Sequence, residues 1–570
     1  MRRKHFGRFC ARCAVAATLL VAGVLLAVLV PRALQAFINS SFVNDGPRAA
    51  LYESFRNNTA IGATVLKKNY FFNLRNKDAV LAGLEMPRLE EVGPWVYQEV
   101  KVYPEESTVW LPNGTLQYRH LSTYRFRADL SGGRTEQDLV TLPSLGLQGA
   151  LKIIRMKLDA IARDNAGYGN RSQEWTWGNQ SKLIAAAQLF MTLTDEPFFT
   201  TRTVHEMLNG YEDPYLKLLV DLGETDSATV AIAPDSPVNC RDGTGHDEMW
   251  SGGPASKESR APPPKSVGGM TMWHGYRTLP YWGTPEANEL YGTDGTSFHP
   301  DLEEGEALTT FVDSLKRRMT LCYRERINWR GAVLYRHVMC PSELENQTVN
   351  PRNAAYNMVR RGILPGPMYG PASALSQPYF FSKPHYLDAD TSDLHVVFVG
   401  ANTASQDREA YDTFLDVEPH TGSLFHVHKR MQVNTMIGPF VTGNPNNMSD
   451  ETYVWPITRG INATMYPVVW IDEASDLPDD LLDKFKTMVY LPIRLATGVG
   501  VTFAVVGFLL ALHTFYGWYC GDAFEADEDT ALESGAVDGS AYYASTNASP
   551  AVGATANPDE LYQPLMAGAK

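Results

Sequence analysis

Five clusters in this chain carry side chains able to bind a metal or move a proton, and each lacks a part that its chemistry needs. His205-Glu206 opens like a zinc-protease helix, but that motif requires a second histidine one turn after the first, where Asn209 stands. His426 and His428 put two imidazoles on one face of a strand, as a metal pair needs, yet no third ligand is evident. Asp388, Asp390 and Asp393 have part of a calcium loop's spacing without its glycine or its distant glutamate, and read as solvated turn carboxylates. Asp472 and Glu473 are neighbours, and neighbours on a strand point opposite ways, so they do not flank one bond as an acid/base pair. Cys10 and Cys13 have CxxC spacing but no second pair to complete a zinc site and no thioredoxin-like unit around them. With no GxSxG elbow and no phosphate loop, the sequence predicts no enzyme, no metal and no cofactor.

What positions everything else is a membrane. Ala14 to Val30 is uncharged, and as a helix it covers roughly 25 Å, close to the ~30 Å of a bilayer's hydrocarbon layer; Pro31 and the turn to Ile38 extend or kink it. Arg2, Arg3, Lys4, Arg8 and Arg12 hold its leading side in the cytoplasm. A cleaved signal peptide has a similar outline, but this apolar run is longer than a usual signal core and Leu34-Gln35-Ala36 is a poor cleavage site. A second apolar run, Leu495 to Leu512, ends in the aromatic belt His513 to Tyr519. The expected organisation is a cytoplasmic N-terminus (1–13), a first span (14–38), a luminal or extracellular body (39–494), a second span (495–519) and a cytoplasmic tail (520–570).

Of the chain's 570 residues, 44% are hydrophobic and 11% aromatic, ample for a large core, and the net charge of -14 argues against a nucleic-acid partner. Asn57, Asn113, Asn170, Asn179, Asn346, Asn447 and Asn462 begin glycosylation sequons in the body; Asn39 lies close to the membrane, and Asn547, in the tail, should stay bare. Cys10, Cys13 and Cys520 flank the spans as acylation candidates, with unmodified thiols the alternative. That leaves Cys240, Cys322 and Cys340 in an oxidising lumen, where two should pair; Cys322 with Cys340 is the pair selected, although connectivity is not fixed by sequence. Tyr562 and Leu565, in an acidic and Ala/Ser/Gly-rich tail, fit the tyrosine-based peptide that clathrin adaptors read, which would have the protein cycle through endosomes or reside in lysosomes.

Within the body, Leu116 to Phe126 alternates like one strand, with Asn113-Gly114 as a hairpin turn pairing Val109 to Leu111 back upon it. From Leu142 the period becomes helical: Leu145 to Ile161, Ile184 to Leu193, and Val204 to Leu219 with a break at Asp213-Pro214. These predict a helical insertion, 142–223, whose stripes are core-facing. Ser251 to Gly269 is a loop, while Gly331 to Met339, Leu394 to Gly400, Leu424 to Val433 and Val468 to Ile471 read as strands without crossover helices, which favours an antiparallel sheet or barrel.

Eight segments in order then carry a resemblance. They are Glu91 to Tyr97, Gly210 to Tyr215, Tyr281 to Thr284, Tyr291 to Pro300, Lys383 to Leu387, Phe414 to Gly422, Lys429 to Asn434 and Pro467 to Glu473. Together they resemble the class B scavenger receptors. The resemblance implies an α+β membrane protein: an antiparallel β-barrel-like ectodomain capped by an apical helical bundle, crossed by an apolar tunnel and anchored by two transmembrane helices. It implies a glycoprotein that binds fatty acid, sterol, phospholipid or lipoprotein-like particles and conducts lipid toward the bilayer of a plasma, endosomal or lysosomal membrane. The alternative is an adhesion or sorting receptor engaging a protein ligand through the apical helices. Two departures stand out: only three luminal cysteines, and Asp195 with Glu196 where ligand-binding relatives tend to be basic, which argues against polyanionic ligands.

Overall fold

In this computed structural model the described residues are 2–41, 64–155, 185, 197–221, 229–230, 247–250, 267–367, 379–400, 407–442 and 453–533. Two helices are long and apolar enough to cross a membrane, within Phe6–Ser40 and Asp479–Tyr519. They belong to helix α1, Arg2–Ser41, and helix α2, Leu491–Glu533. Pro31 lies inside α1 and lacks a backbone donor, a defect that a membrane helix tolerates. The chain divides into two compact units, Met1–Leu25 with Gly500–Lys570, and Leu26–Val499.

In the first unit the helices touch through small residues. A side chain at Gly507 would begin 2.7 Å from the Leu20 nitrogen and 2.8 Å from the Ala16 oxygen, and Gly23 lies equally close to Ala504 and Gly500. Without a hydrophobic drive between helices in lipid, such close backbone approach is what holds two spans together. Phe9 packs on Phe515 and Trp518, with ring centroids 5.8 and 5.6 Å apart.

The second unit is built on a 12-stranded sheet. Its strands are β1 Thr64–Leu74, β2 Arg88–Val102, β3 Leu121–Phe126, β4 Leu308–Val312, β5 Arg317–Trp329, β6 Ala332–Met339, β7 Leu364–Pro365, β8 Tyr379–Ser382, β9 Val397–Val399, β10 Phe414–Val417, β11 Leu424–Ile437 and β12 Thr464–Asp476. The hydrogen-bonded order is β4-β5-β6-β10-β11-β12-β1-β2-β9, with β3 on β2, β8 on β11 and β7 on β8. Pairing is antiparallel except β9 against β2, and among the described residues β9 does not return to β4. The largest core cluster takes in both faces of this sheet, since the neighbours Phe71 and Phe72, and Val468 and Val469, are all fully buried in it, with Tyr466, Phe199 and Trp455.

Three expectations change in detail. Leu116 to Phe126 is two strands, not one: Thr115–Tyr118 joins Val109–Trp110 and Asp247–Trp250 in a separate sheet, whereas β3 pairs with β2. The separation falls at Arg119-His120, because Leu116 and Tyr118 bury in a small cluster with Tyr103 while Leu121 is exposed. Leu142 stands in a strand, Leu139–Pro143, paired with Phe199–Thr203, and the helix starts at Leu145. Leu394 to Gly400 contains only the short β9, and it runs parallel to its neighbour. The helical stretch Val204 to Leu219 does break near Asp213, into Val204–Asn209 and Pro214–Asp221. Most of Ile184 to Leu193, with Asp195 and Glu196, lies outside the described residues.

Candidate functional site

Because strand side chains alternate, one parity of β1, β12 and β11 faces the same way. Val65, Lys67 and Asn69 on β1, Ile471, Glu473 and Ser475 on β12, and Val427, Lys429 and Met431 on β11 all line a single cavity of about 790 Å³. Met319, Leu321, Met339, Phe381 and Leu415, from β5, β6, β8 and β10, supply much of its apolar wall. The volume lies in the range of roughly 300–1,000 Å³ that holds small ligands.

A charged row crosses this surface. Register places Lys67 opposite Glu473, and Glu473 opposite Lys429. The Lys67 Nζ is 3.8 Å from carboxylate oxygens of both Glu99 and Glu473, and Lys429 is 3.4 Å from Glu473. Lys67 also donates to the Tyr124 hydroxyl at 3.2 Å, and the Ser122 hydroxyl donates to Glu99 at 2.9 Å.

The opposite parity carries a different set. Asp472 takes a hydrogen bond from His428 at 2.8 Å and faces Arg430 and Lys68 at 3.4 and 3.5 Å. Burial works to raise its pKa, but the His428 bond and the Arg430 and Lys68 charges outweigh it, and the net shift is downward. Asp472 and Glu473 therefore sit on opposite sheet faces.

The other chemistry-bearing residues have structural partners. His426 bonds Asp416, which Arg336 holds with two more bonds, so His426 and His428 face separate carboxylates. His205 meets Asn209 and Glu136, and Glu206 closes a capping box with Thr203. Asp388 accepts from Lys383 and Arg408; burial opposes these bonds, and its pKa still falls to about 2. Asp390 accepts from the Ser392 backbone, and Asp393 pairs with Arg360. No group of three His, Cys, Asp or Glu suited to a metal occurs among the described residues.

Several family-like segments act as architecture. Lys383 is buried between Asp388 and Asp412 at 2.9 and 2.7 Å, and Gln432, Asn434 and Ser382 form a buried amide and hydroxyl chain. In the turn after β10, Gly422 has φ 71, and a side chain there would strike the Phe298 and His299 carbonyls.

Cys322 and Cys340 are joined by a disulfide, with Cα atoms 5.0 Å apart, and Cys10 and Cys13 are free. Asn39 and Asn462 are exposed, whereas at Asn113 and Asn346 the amide oxygen bonds the backbone two residues on. Asn57, Asn170, Asn179, Asn447, Cys240, Tyr562 and Leu565 lie outside the described residues, as do the surroundings of Cys520. Sequence reasoning gave Lys67, Glu99 and Lys429 no functional role; their only signal is a charge at a position that shares the parity of Val65, Tyr97 or Val427 on its strand.

The model of the CD36 family matches residues 14–518 of this chain. Human lysosome membrane protein 2 is 24% identical over 536 residues, covering 92% of this chain and 98% of that protein. Rat scavenger receptor class B member 1 is 25% identical over 451 residues, 78% of each chain. Sensory neuron membrane protein 2 of Manduca sexta is 24% identical over 436 residues, 74% of this chain and 77% of its own length.

Proposed function

The chain belongs to the CD36 family of membrane proteins, and we propose that it takes up lipid and passes it through the body between its two spans toward the bilayer. The observation that carries this reading is the 790 Å³ cavity walled by apolar side chains from strands spread across the sheet. Similarity to proteins named as scavenger receptors and as a lysosome membrane protein supports a receptor of lipid or lipid-bearing particles in a plasma, endosomal or lysosomal membrane.

In this reading the large sheet wraps the cavity as a barrel-like wall, and the helices of 142–223 form an apical surface for the incoming particle. Both termini are cytoplasmic, the body is glycosylated at Asn57, Asn113, Asn170, Asn179, Asn346, Asn447 and Asn462, the juxtamembrane cysteines are acylated, and Tyr562 with Leu565 recruits a clathrin adaptor. Digestion with an N-glycosidase should shift the protein's mobility, and Asn547→Gln should leave that shift unchanged; a protein that carries no glycan contradicts the topology. Tyr562→Ala should move the protein to the cell surface, and an unchanged distribution contradicts the sorting role.

The direct test is labelling of the purified full chain with a photoactivatable long-chain lipid, followed by peptide mapping. Adducts should fall on cavity residues such as Met319, Val427 or Ile471. Absence of adducts, or adducts confined to the spans, refutes passage through the body and leaves a receptor that holds particles from outside.

A further inference from the structure

The cavity's polar lining has a property that its apolar lining does not determine, namely the charge of the lipid end it tolerates. We infer that the row Lys67, Glu99, Glu473 and Lys429 is a specificity filter that admits a lipid whose polar end is an uncharged hydroxyl and discriminates against an ionised carboxylate. This deepens the lipid-passage reading and rests on it.

The argument is one of charge compensation. Capturing a free carboxylate in a low-dielectric space needs a cation whose charge is not already committed. Here Lys67 stands between two carboxylates, each 3.8 Å away, and Lys429 faces Glu473 at 3.4 Å. The side chains of Lys67 and Glu99 are only 13% and 11% exposed, so bulk water screens this pair weakly, and Lys429 and Glu473, at 35% and 30%, form the wetter end of the row. An incoming carboxylate that approached either ammonium group would also meet Glu99 or Glu473 as a like charge beside it.

A hydroxyl meets no such conflict, since it donates to a carboxylate and accepts from an ammonium group with no net charge to bury. Ser122 and Tyr124 already do this within the row: each hydroxyl contacts Glu99, at 2.9 and 3.4 Å, and Tyr124 accepts from Lys67. The row therefore displays, with its own side chains, the chemistry a hydroxyl-ended lipid would bring. Beside it, Val65, Ile471, Val427 and Met431 continue the same strand faces as an apolar bed for the rest of the molecule.

The test uses the purified full chain in detergent with three photoactivatable probes of matched reactivity: a monoacylglycerol, a sterol and palmitate at neutral pH. The expected result is that at least one hydroxyl-ended probe labels the cavity tenfold or more above palmitate. Which of the two does so identifies the source, an acylglycerol or a sterol.

In the variant Glu99→Gln with Glu473→Gln the two lysines lose their compensation, and palmitate labelling should rise at least tenfold. If that variant does not fold, the wild-type comparison alone decides. Palmitate labelling equal to or above both hydroxyl probes overturns the filter while leaving lipid passage intact. Failure of all three probes to label the cavity overturns lipid passage, and the filter with it.

Discussion

Asp416→Asn removes one charge from a buried ion cluster of the body, and its cost follows from the geometry. The Asp416 side chain has no exposed surface and accepts two bonds from Arg336, both 2.8 Å, and a third from His426 at 2.8 Å. An asparagine presents an NH2 group where one of these donors points, so a bond becomes a repulsion, and Arg336, 11% exposed, loses its buried counter-charge. Removing one partner of a buried pair costs roughly 3–5 kcal/mol. Glu409, 3.5 Å from Arg336 but 75% exposed, offsets little of this, and the lower end of that range, about 3 kcal/mol, is expected. With a urea dependence of about 3 kcal/mol per molar for a body this large, the unfolding midpoint should fall by about 1 M, read by pulse proteolysis of the purified full chain. Adding Arg336→Met should recover part of the loss, because the unpaired guanidinium is then gone. A midpoint change below about 0.3 M would refute the view that this cluster is an obligatory buried pair.

The same carboxylates set the acid limit. Asp416, Asp472 and Asp388 have folded pKa values below the unfolded value of about 3.9, so their stabilisation is present above that pH and is lost as pH falls through the folded values, down to about 2 for Asp388. His337 acts earlier: burial lowers its pKa, so the unfolded chain gains a proton first and stability declines as pH drops below about 6.5. Unfolding midpoints against pH should therefore show a shallow decline below 6.5 that His337→Phe abolishes and a steep one below 4 that it does not; a single transition unaffected by that substitution would contradict the assignment. In the spans, Gly507→Leu should lower thermal stability in detergent relative to Gly517→Leu, since a side chain at Gly507 meets Leu20, Ala16 and Leu19 whereas nothing lies within 4 Å of one at Gly517. Equal melting of the two variants would mean that the spans do not rely on that contact.

Local periodicity is what a single sequence exposes best, and the features that depended on it are the ones that could be read. The two apolar runs lie inside α1 and α2, and the alternating segments Gly331 to Met339, Leu424 to Val433 and Val468 to Ile471 are the cores of β6, β11 and β12. The opposition of Asp472 and Glu473 needed only the two-residue period of a strand. The split between Tyr118 and Leu121 was not legible, because alternation continues through Arg119-His120 and nothing local says that the chain changes sheets there. The charged row was hidden for the same reason. Lys67 is hundreds of residues from Lys429 and Glu473, which are themselves 44 apart, and only the register of β1, β12 and β11 brings the three side by side. For the histidines, spacing alone showed that a third ligand was missing but not what they touch, since tertiary contacts supply Asp416 and Asp472 as hydrogen-bond partners.

The cavity and the function are joined by stability as well as by shape. At about 790 Å³ and open in part to solvent, the cavity has room for many water molecules or for a ligand. Beside Lys67, Glu99, Glu473 and Lys429 a water molecule would find the two or more polar partners it needs. Met319, Leu321, Met339, Phe381 and Ile471 offer apolar side chains, and the occupant best matched to them is a hydrocarbon chain. An occupant that binds the folded state alone adds to its stability by mass action, about 2.7 kcal/mol at a hundredfold excess over its dissociation constant. Under the proposed function the lipid contributes to the stability of the body that carries it, and the polar row limits which lipid does so.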